Sequence, residues 1–143
     1  MDLGFETIGN ACLICHDKGP VLATDPWIKG SAYFGSWTTS HEIPAEQIAH
    51  VKACKYLWIS HGHPDHLSPE SLAELKDKEI LLPDHFRVHR GGRIARELRE
   101  QGYKVRVLKD GTWTHLSPRL RMMCIGDYCQ DATLLVELGG RLL

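Results

Sequence analysis

Short apolar stretches separated by turn signals fill the first 24 residues of the chain. The stretches cover residues 3–8, 11–16 and 21–24, and each has a length typical of a β-strand. Gly9-Asn10 and Asp17-Lys18-Gly19-Pro20 lie between them and are strong turn signals. We expect Asn10 to adopt a left-handed backbone conformation in the first turn, with a direct role in a site as the alternative. This part of the chain is predicted to be a β-meander.

Strand-like and helix-like patterns alternate through the rest of the chain. Apolar runs predict strands over residues 55–60, 80–82 and 104–108, followed by hairpins over 113–125 and 132–143. Helices are predicted over residues 44–51, 68–76 and 87–101. Between the first strands and helices, residues 30–41 show no periodicity, so we expect a loop that either forms a wall of a pocket or packs over the sheet. Alternating strands and helices with short connections predict an α/β fold.

Four potential metal ligands stand within six residues, directly after the predicted strand 55–60. They are His61, His63, Asp65 and His66. Gly62 and Pro64 separate them, so a tight loop can turn His61 and His63 toward one point and Asp65 and His66 toward a neighbouring one. Imidazoles and a carboxylate suit zinc, as one or two ions, and also iron or manganese. A metal ion with an open coordination position would lower the pKa of a bound water. The alternative interpretation of the four residues is that they are ordinary surface side chains that bind no metal.

Length and charge limit the remaining possibilities. The 143 residues are expected to form a single domain. Lysine and arginine number 17 against 18 aspartates and glutamates, so the net charge of −1 gives no electrostatic argument for nucleic acid or membrane surfaces. Partners must therefore be argued from the site, and the partner expected there is a small-molecule substrate. No apolar run is long enough for a membrane span, and the N-terminus lacks a signal core, so a cytoplasmic protein is expected.

The cysteine pattern does not predict disulfides. The chain has five cysteines, an odd number, which favours reduced thiols. Cys12 and Cys15 with His16 formally match a haem-attachment motif, but residues three apart on a strand point to opposite faces. Both thiols are therefore expected to pack as small buried side chains.

The pattern His61-x-His63-x-Asp65-His66, with Thr24-Asp25-Pro26-Trp27 before it, resembles the signature of the metallo-β-lactamase superfamily. More narrowly, "DPW", "ISHGHPDHLSPESL", the Trp113 hairpin and "DATLLVELGGRLL" resemble the metallo-β-lactamase-type domain of the CMP-N-acetylneuraminate hydroxylase group. The resemblance runs through most of the chain. It implies an αββα sandwich, of which residues 1–143 supply roughly the N-terminal half as a mixed sheet with helices on one face.

The resemblance also implies roles for two further aspartates. Asp25 is expected beneath the metal loop, where it would orient a ligating histidine, with a plain Asx turn as the alternative. The family has a histidine ligand four residues before the aspartate that opens "DATLLVE", and that position here is Asp127. A carboxylate at Asp127 can replace the imidazole as a ligand; loss of the ligand and a plain loop aspartate stay open.

A bridging aspartate and a final histidine that the family carries further on are absent from the chain, as is the iron–sulfur segment of the hydroxylases. We expect the N-terminal portion of a longer protein, or a short form completed by a partner or an oligomer. The iron–sulfur segment's absence argues against electron-driven hydroxylation.

The function expected from the sequence is that of a metal-dependent hydrolase. His61 and His63 with Asp127 would hold one ion, and Asp65 and His66 would contribute to a second. A metal-activated water would attack an ester, phosphodiester or amide, and Asp65 is the catalytic candidate as a general base. The alternatives are an incomplete or non-catalytic metal-binding or interaction domain and a nuclease of the same superfamily. The balanced charge disfavours the nuclease.

Overall fold

The structure is a computed structural model that describes residues 1–84, 91–127 and 131–143. Its first sheet has six strands in sequential order, from β1 to β6. The strands are β1 Leu3–Ile8, β2 Cys12–Asp17, β3 Pro20–Thr24, β4 Tyr56–Trp58, β5 Glu79–Pro83 and β6 Lys104–Leu108. The first three pair antiparallel and the last four pair parallel, so the predicted meander continues into a strand–helix alternation.

The second sheet consists of the two hairpins at the end of the chain. Its strands are β7 Thr114–Ser117, β8 Leu120–Gly126, β9 Ala132–Leu138 and β10 Arg141–Leu142. They run antiparallel in the order β10-β9-β8-β7. The pairing of β8 with β9 runs in continuous register from Leu120 opposite Leu138 to Gly126 opposite Ala132. Both predicted hairpins are confirmed.

Within the described ranges, three α-helices connect the parallel strands. They are α1 Ala45–Ala53, α2 Pro69–Ala73 and α3 Gly91–Glu100. The side chain of Ser68 caps α2 by accepting a hydrogen bond from the amide of Ser71, and Pro69 follows it at the first helical position. The predicted helix 87–101 is confirmed as α3 from residue 91; residues 87–90 lie outside the described part of the chain.

The apolar run of β4 is buried on both faces of the sheet, and this explains the layered architecture. Leu57 and Ile59 belong to a core between the sheet and the helices, whereas Tyr56 and Trp58 belong to a core between the two sheets. A strand that is covered on both sides reads as continuous apolar sequence. The molecule thus has a helical layer, a mixed six-stranded sheet and a four-stranded sheet, as the expected half sandwich with helices on one face requires.

The cysteines follow the same division. Cys12 packs in the core on the helical side and Cys15 in the core between the sheets, so the predicted divergence of the two thiols is confirmed. Both are free thiols, as are Cys54 and Cys124 among the described residues. Burial raises the pKa of Cys15 and of Cys54 to about 12, which leaves these thiols protonated and unreactive near neutral pH.

Two local expectations need correction or detail. Gly9, with a φ of 59°, takes the left-handed position of the first turn, and Asn10 is not left-handed. Glycine adopts this conformation without a Cβ penalty, so the Asn10 side chain can make contacts elsewhere.

The loop 30–41 contains a short 3-10 turn at Tyr33–Gly35, closed by hydrogen bonds between Ala32 and Trp37. Separately, no helix in the described ranges is long and apolar enough to cross a bilayer.

Candidate metal centre

The four predicted ligands from residues 61–66 lie at one edge of the six-stranded sheet. Asp25 follows β3 and the loop that starts at Ser60 follows β4, and these two strands are parallel neighbours. The carboxyl ends of parallel strands meet at the same edge, so residues 35 positions apart become adjacent. The backbone joins them directly, because the amide of Asp25 donates to the carbonyl oxygen of Trp58 at 2.7 Å.

Three imidazole rings converge in this loop. Nε2 of His61 and Nδ1 of His63 are 2.8 Å apart. The ring centroid of His61 lies 4.5 Å from that of His63 and 4.1 Å from that of His66. The carbonyl oxygen of His63 accepts hydrogen bonds from the amides of His66 and Leu67, at 3.0 and 2.7 Å, so the backbone makes one tight turn. We call His61, His63, Asp65 and His66 the loop cluster.

Asp25 holds the loop from beneath, and it is 5% exposed. One of its oxygens accepts the amide of Ser60 and the other accepts the Ser60 hydroxyl, both at 2.8 Å. The second oxygen also lies 3.0 Å from Nδ1 of His66. This contact raises the pKa of His66, although burial opposes the shift. The Asp25 contact occupies Nδ1 of His66, which leaves Nε2 on the opposite side of the ring.

Asp65 is held by two residues from distant parts of the chain. The side-chain amide of Asn10 donates to one oxygen at 2.8 Å, and the hydroxyl of Tyr33 donates to the other at 3.0 Å. Burial alone would raise the pKa of Asp65, but these hydrogen bonds lower it overall. Asp65 is therefore an anion at neutral pH, and its oxygen that accepts from Asn10 lies 3.4 Å from Nε2 of His66.

His61 is neutral near physiological pH. Burial lowers its pKa, and the neighbouring His66 acts in the same direction. Its Nδ1 lies 2.8 Å from the hydroxyl of Ser60 and 3.3 Å from a carboxylate oxygen of Asp131. These contacts fix the ring so that Nε2 faces His63. A neutral imidazole with one nitrogen engaged and the other directed outward is the form that binds metals.

Asp127 and Asp131 close the loop between β8 and β9. The amide of Asp131 donates to the Asp127 carboxylate at 2.9 Å, and the amide of Asp127 donates to the Asp131 carbonyl at 2.9 Å. Of the two carboxylates, Asp131 makes the described contact with His61. The role of Asp127 as a ligand stays a prediction.

A cavity of about 350 Å³ opens beside the loop cluster, where the two sheets meet. Its polar wall includes Asp25, Ser60, His61, His66 and Asp131. Its apolar wall includes Leu134 and Val136 of β9, Leu13 of β2 and Leu143. The cavity therefore has the size and mixed lining of a small-molecule site.

Tyr33, Ser60 and Asp131 were not singled out as site residues from sequence, and Asn10 makes the direct contact with the site that stood above as the alternative. Asn10 and Tyr33 reach Asp65 across 55 and 32 positions, so no local spacing pointed to them. The sequence did contain a signal for Asp131. This aspartate opens the "DATLLVE" segment four residues after the predicted ligand Asp127, and a carboxylate in that position is itself a candidate site residue.

The side chains fit a divalent transition metal by their chemistry. Imidazole nitrogens stand beside carboxylates, and neighbouring side chains orient the rings of His61 and His66. Zinc, iron and manganese all accept such donors.

No family model matches the chain. Among curated proteins, it is similar to cytidine monophosphate-N-acetylneuraminic acid hydroxylases. It is 27% identical to that of Danio rerio over 146 residues, covering 95% of this chain and 24% of the relative. It is 28% identical to that of Xenopus laevis over 141 residues, covering 92% of this chain and 23% of the relative. The chain thus spans about a quarter of the length of the curated relatives it matches.

Solved structures match the fold. CmlA, a diiron β-hydroxylase from Streptomyces venezuelae, superposes with a TM-score of 0.68 at 22% identity, covering 96% of this chain and 28% of that chain. An isothiocyanate hydrolase from Delia radicum gut bacteria superposes with a TM-score of 0.67 at 19% identity, covering 94% of this chain and 58% of that chain. At these identities the likeness establishes the fold alone.

Proposed function

We propose that this chain, which has the metallo-β-lactamase fold, supplies the histidine-rich part of a metal centre in a metal-dependent enzyme. The observation that carries the proposal is the convergence of three imidazole rings at the carboxyl end of β4, with Asp25 beneath them. Surface histidines without a shared ligand have no need of a buried carboxylate that orients one of their rings.

The hydrogen bonds around the rings suggest which atom each histidine offers. Nδ1 of His66 lies against Asp25, and Nδ1 of His61 lies against Ser60 and Asp131, so both present Nε2. Nε2 of His61 faces Nδ1 of His63 at 2.8 Å, and this pair would bind the first ion. His66 and Asp65 would contribute to a second. Asp127 remains the candidate for a further ligand to the first ion.

Asp65 is better suited to binding and orientation than to proton abstraction. A general base works best with a pKa near the operating pH, and the hydrogen bonds to Asp65 lower its pKa. Its two oxygens are also fixed by Asn10 and Tyr33. The proposal therefore assigns Asp65 as an anionic ligand that neutralises the charge of the centre. A bound divalent ion would supply Lewis-acid activation of water or substrate.

Hydrolysis is the first candidate reaction. The cavity at the loop cluster combines a polar wall that includes two of the four loop-cluster residues with an apolar wall that includes side chains of β9. Such a site suits a small ester, amide or phosphodiester that is bound on its apolar side and attacked on its polar side. The similarity to an isothiocyanate hydrolase supports this reaction class. Zinc, iron or manganese would serve it.

Hydroxylation is the second candidate, favoured by the curated relatives, which are hydroxylases, and by the diiron β-hydroxylase among similar structures. The carboxylates of Asp65 and Asp131 beside the imidazoles make iron a suitable metal. In this case the metal would be iron instead of zinc, and the reaction would consume oxygen and reductant.

The experiment loads the metal-free protein with zinc or with iron(II) and measures two activities. Release of acid from ester and phosphodiester substrates reports hydrolysis, whereas oxygen uptake that depends on reductant reports hydroxylation. Loss of activity and of the ion that His61 and His63 share is expected in His61→Ala, with His115→Ala, an exposed histidine on β7, as the matched control. Metal content near zero in the unaltered protein after either supplementation would favour a non-catalytic domain instead.

A further inference from the structure

A second group of metal-capable side chains lies outside the loop cluster. Nε2 of His16 is 2.7 Å from Oε1 of Glu6, and Nδ1 of His50 is 2.6 Å from the same oxygen. The three donor atoms lie within 4.8 Å of one another. Other residues line the cavity beside the loop cluster, so the two groups are separate features. We call Glu6, His16 and His50 the sheet–helix cluster.

Strand register brings two of these residues together. In the antiparallel pair of β1 and β2, Glu6 stands opposite Ile14 and Gly4 stands opposite His16. Glu6 and His16 are therefore diagonal neighbours on one face of the sheet. Ile14 on the same face belongs to the core on the helical side, so this face is covered by the helical layer.

Helix α1 supplies the third residue. His50 reaches Glu6 from the helix across 44 positions, and its ring makes an edge contact with His16 at a centroid distance of 5.2 Å. Gln47, one turn earlier on the same helix, donates to the other oxygen of Glu6 at 3.3 Å. The cluster thus joins two strands at the margin of the sheet to α1.

Hydrogen bonding within the cluster does not satisfy all of its polar atoms. The His16 side chain is 1% exposed, and its Nδ1 has no hydrogen-bond partner among the described residues. Glu6 is 19% exposed and His50 is 30% exposed, so solvent reaches one side of the group. Burial raises the pKa of Glu6, but the hydrogen bonds from both histidines lower it, so the carboxylate is an anion. A largely buried anion is costly unless a cation compensates it.

We propose that Glu6, His16 and His50 form a second metal site, which takes a divalent transition cation such as zinc. Two imidazoles and one carboxylate hold zinc in sites with an open fourth position, and the same donors also suit iron(II). The exposed side of Glu6 and His50 provides the entry path. Binding would replace the hydrogen bonds from the two imidazoles to Glu6 with bonds from the same ring nitrogens to the ion.

The position of the site suggests a structural role. Its ligands come from β1, β2 and α1, so an ion would cross-link the outer strands of the sheet to the helical layer. Binding to the folded state alone raises the melting temperature by mass action.

The test uses the 143-residue chain with His61→Ala and His63→Ala, which removes two of the three imidazoles of the loop cluster, and Glu6→Gln in this background then identifies the site of the remaining ion. We expect titration with zinc to show one remaining ion per chain and a rise in melting temperature. Glu6→Gln or His50→Gln in this background should weaken zinc binding by at least about tenfold, whereas His115→Gln should not. Cobalt(II) should bind without thiolate-to-metal charge transfer, which excludes the buried Cys12 and Cys54 as ligands.

The proposal fails if the double variant binds no zinc or cobalt, or if Glu6→Gln leaves their affinity unchanged. Circular dichroism checks that each variant is folded, and the cobalt spectrum of the double variant tests the site without altering the cluster. Failure of the loop-cluster proposal looks different, because the ion count would then be the same with and without His61→Ala and His63→Ala.

Discussion

The loop cluster and the sheet–helix cluster use similar side chains but are built in opposite ways. The histidines and aspartate of the loop cluster stand within six consecutive residues, and one tight turn gathers them. In the sheet–helix cluster, His16 and His50 are 10 and 44 positions away from Glu6, and the three residues meet only because β1, β2 and α1 pack together. The first is visible in the sequence, whereas the second requires the fold.

The surroundings of the two clusters also differ. The loop cluster opens onto a cavity and is supported from outside by Asp25, Asn10 and Tyr33. The sheet–helix cluster is more deeply buried at His16 and is supported mainly by its own members. We infer that the loop cluster is the catalytic centre, because other residues orient its side chains and it opens onto a cavity, and that the sheet–helix cluster is a structural site. The substitutions below should affect one cluster and leave the other unchanged.

The largest effect is expected from Asp25→Ala. The substitution removes the acceptor of two Ser60 hydrogen bonds and the partner of His66, so it should destabilise the fold by about 1–3 kcal/mol. Metal affinity at the loop cluster should fall about 10- to 100-fold. Chemical denaturation and metal titration measure the two effects. Asp25→Asn keeps the acceptor for the Ser60 amide and serves as the milder comparison.

Metal binding at the sheet–helix cluster should be unchanged in Asp25→Ala. Equal weakening at both clusters would mean that Asp25 supports the fold as a whole instead of the loop.

Glu6→Gln should have the next largest effect, and this effect should be confined to the sheet–helix cluster. With zinc present, the variant should lose at least about 1 kcal/mol of metal-dependent stabilisation. The free energy of unfolding that zinc adds depends on the ratio of the free zinc concentration to its dissociation constant, and the substitution raises that constant. Hydrogen exchange should accelerate in β1 and α1 but not in the loop after β4. Unchanged exchange in α1 would show that the cluster does not tie the helix to the sheet.

Asn10→Ala should have a smaller effect, limited to Asp65. Loss of one hydrogen bond to the carboxylate should cost about 1–2 kcal/mol and raise the pKa of Asp65 toward its usual 3.8. Because the folded pKa is depressed, the stability that Asp65 contributes is present above 3.8 and is lost as the pH falls further. Acid denaturation should therefore be shallower in the variant, and an identical acid profile would contradict this role.

The smallest effect concerns His66 in the metal-free protein. Its pKa is raised above the usual 6.5 by Asp25, so its contribution to stability is complete below pH 6.5 and is lost as the pH rises through the folded value. Melting temperature measured in chelator should fall over that window, and Asp25→Asn should flatten the fall. A fall of equal size in Asp25→Asn would assign the effect to another group.

Local patterns predicted most of the fold, and the deviations have local causes. Strand β4 ends at Trp58 instead of residue 60, because the Ser60 amide bonds the Asp25 side chain instead of a neighbouring strand. Helix α2 ends at Ala73 instead of residue 76, since the amide of Leu75 bonds Leu72 in a tighter turn. Sequence spacing carries no information on such competing partners.

The candidate site was predictable only as far as its residues are neighbours in sequence. Spacing identified the loop cluster, and resemblance to a family identified Asp25. The contacts of Asn10 and Tyr33 with Asp65 depend on a turn that Gly9 makes and on a short 3-10 segment at Tyr33–Gly35. The sheet–helix cluster depends on strand register and helix packing together, so periodicity alone did not reveal it.

The most direct test of the central claim is the metal content of the His63→Ala variant, measured by elemental analysis in a Glu6→Gln background. In that background only the loop cluster contributes ions, and His115→Ala is the matched control. The account predicts that the control retains its metal and that His63→Ala loses the ion that His61 and His63 share. Full metal content in His63→Ala would contradict it.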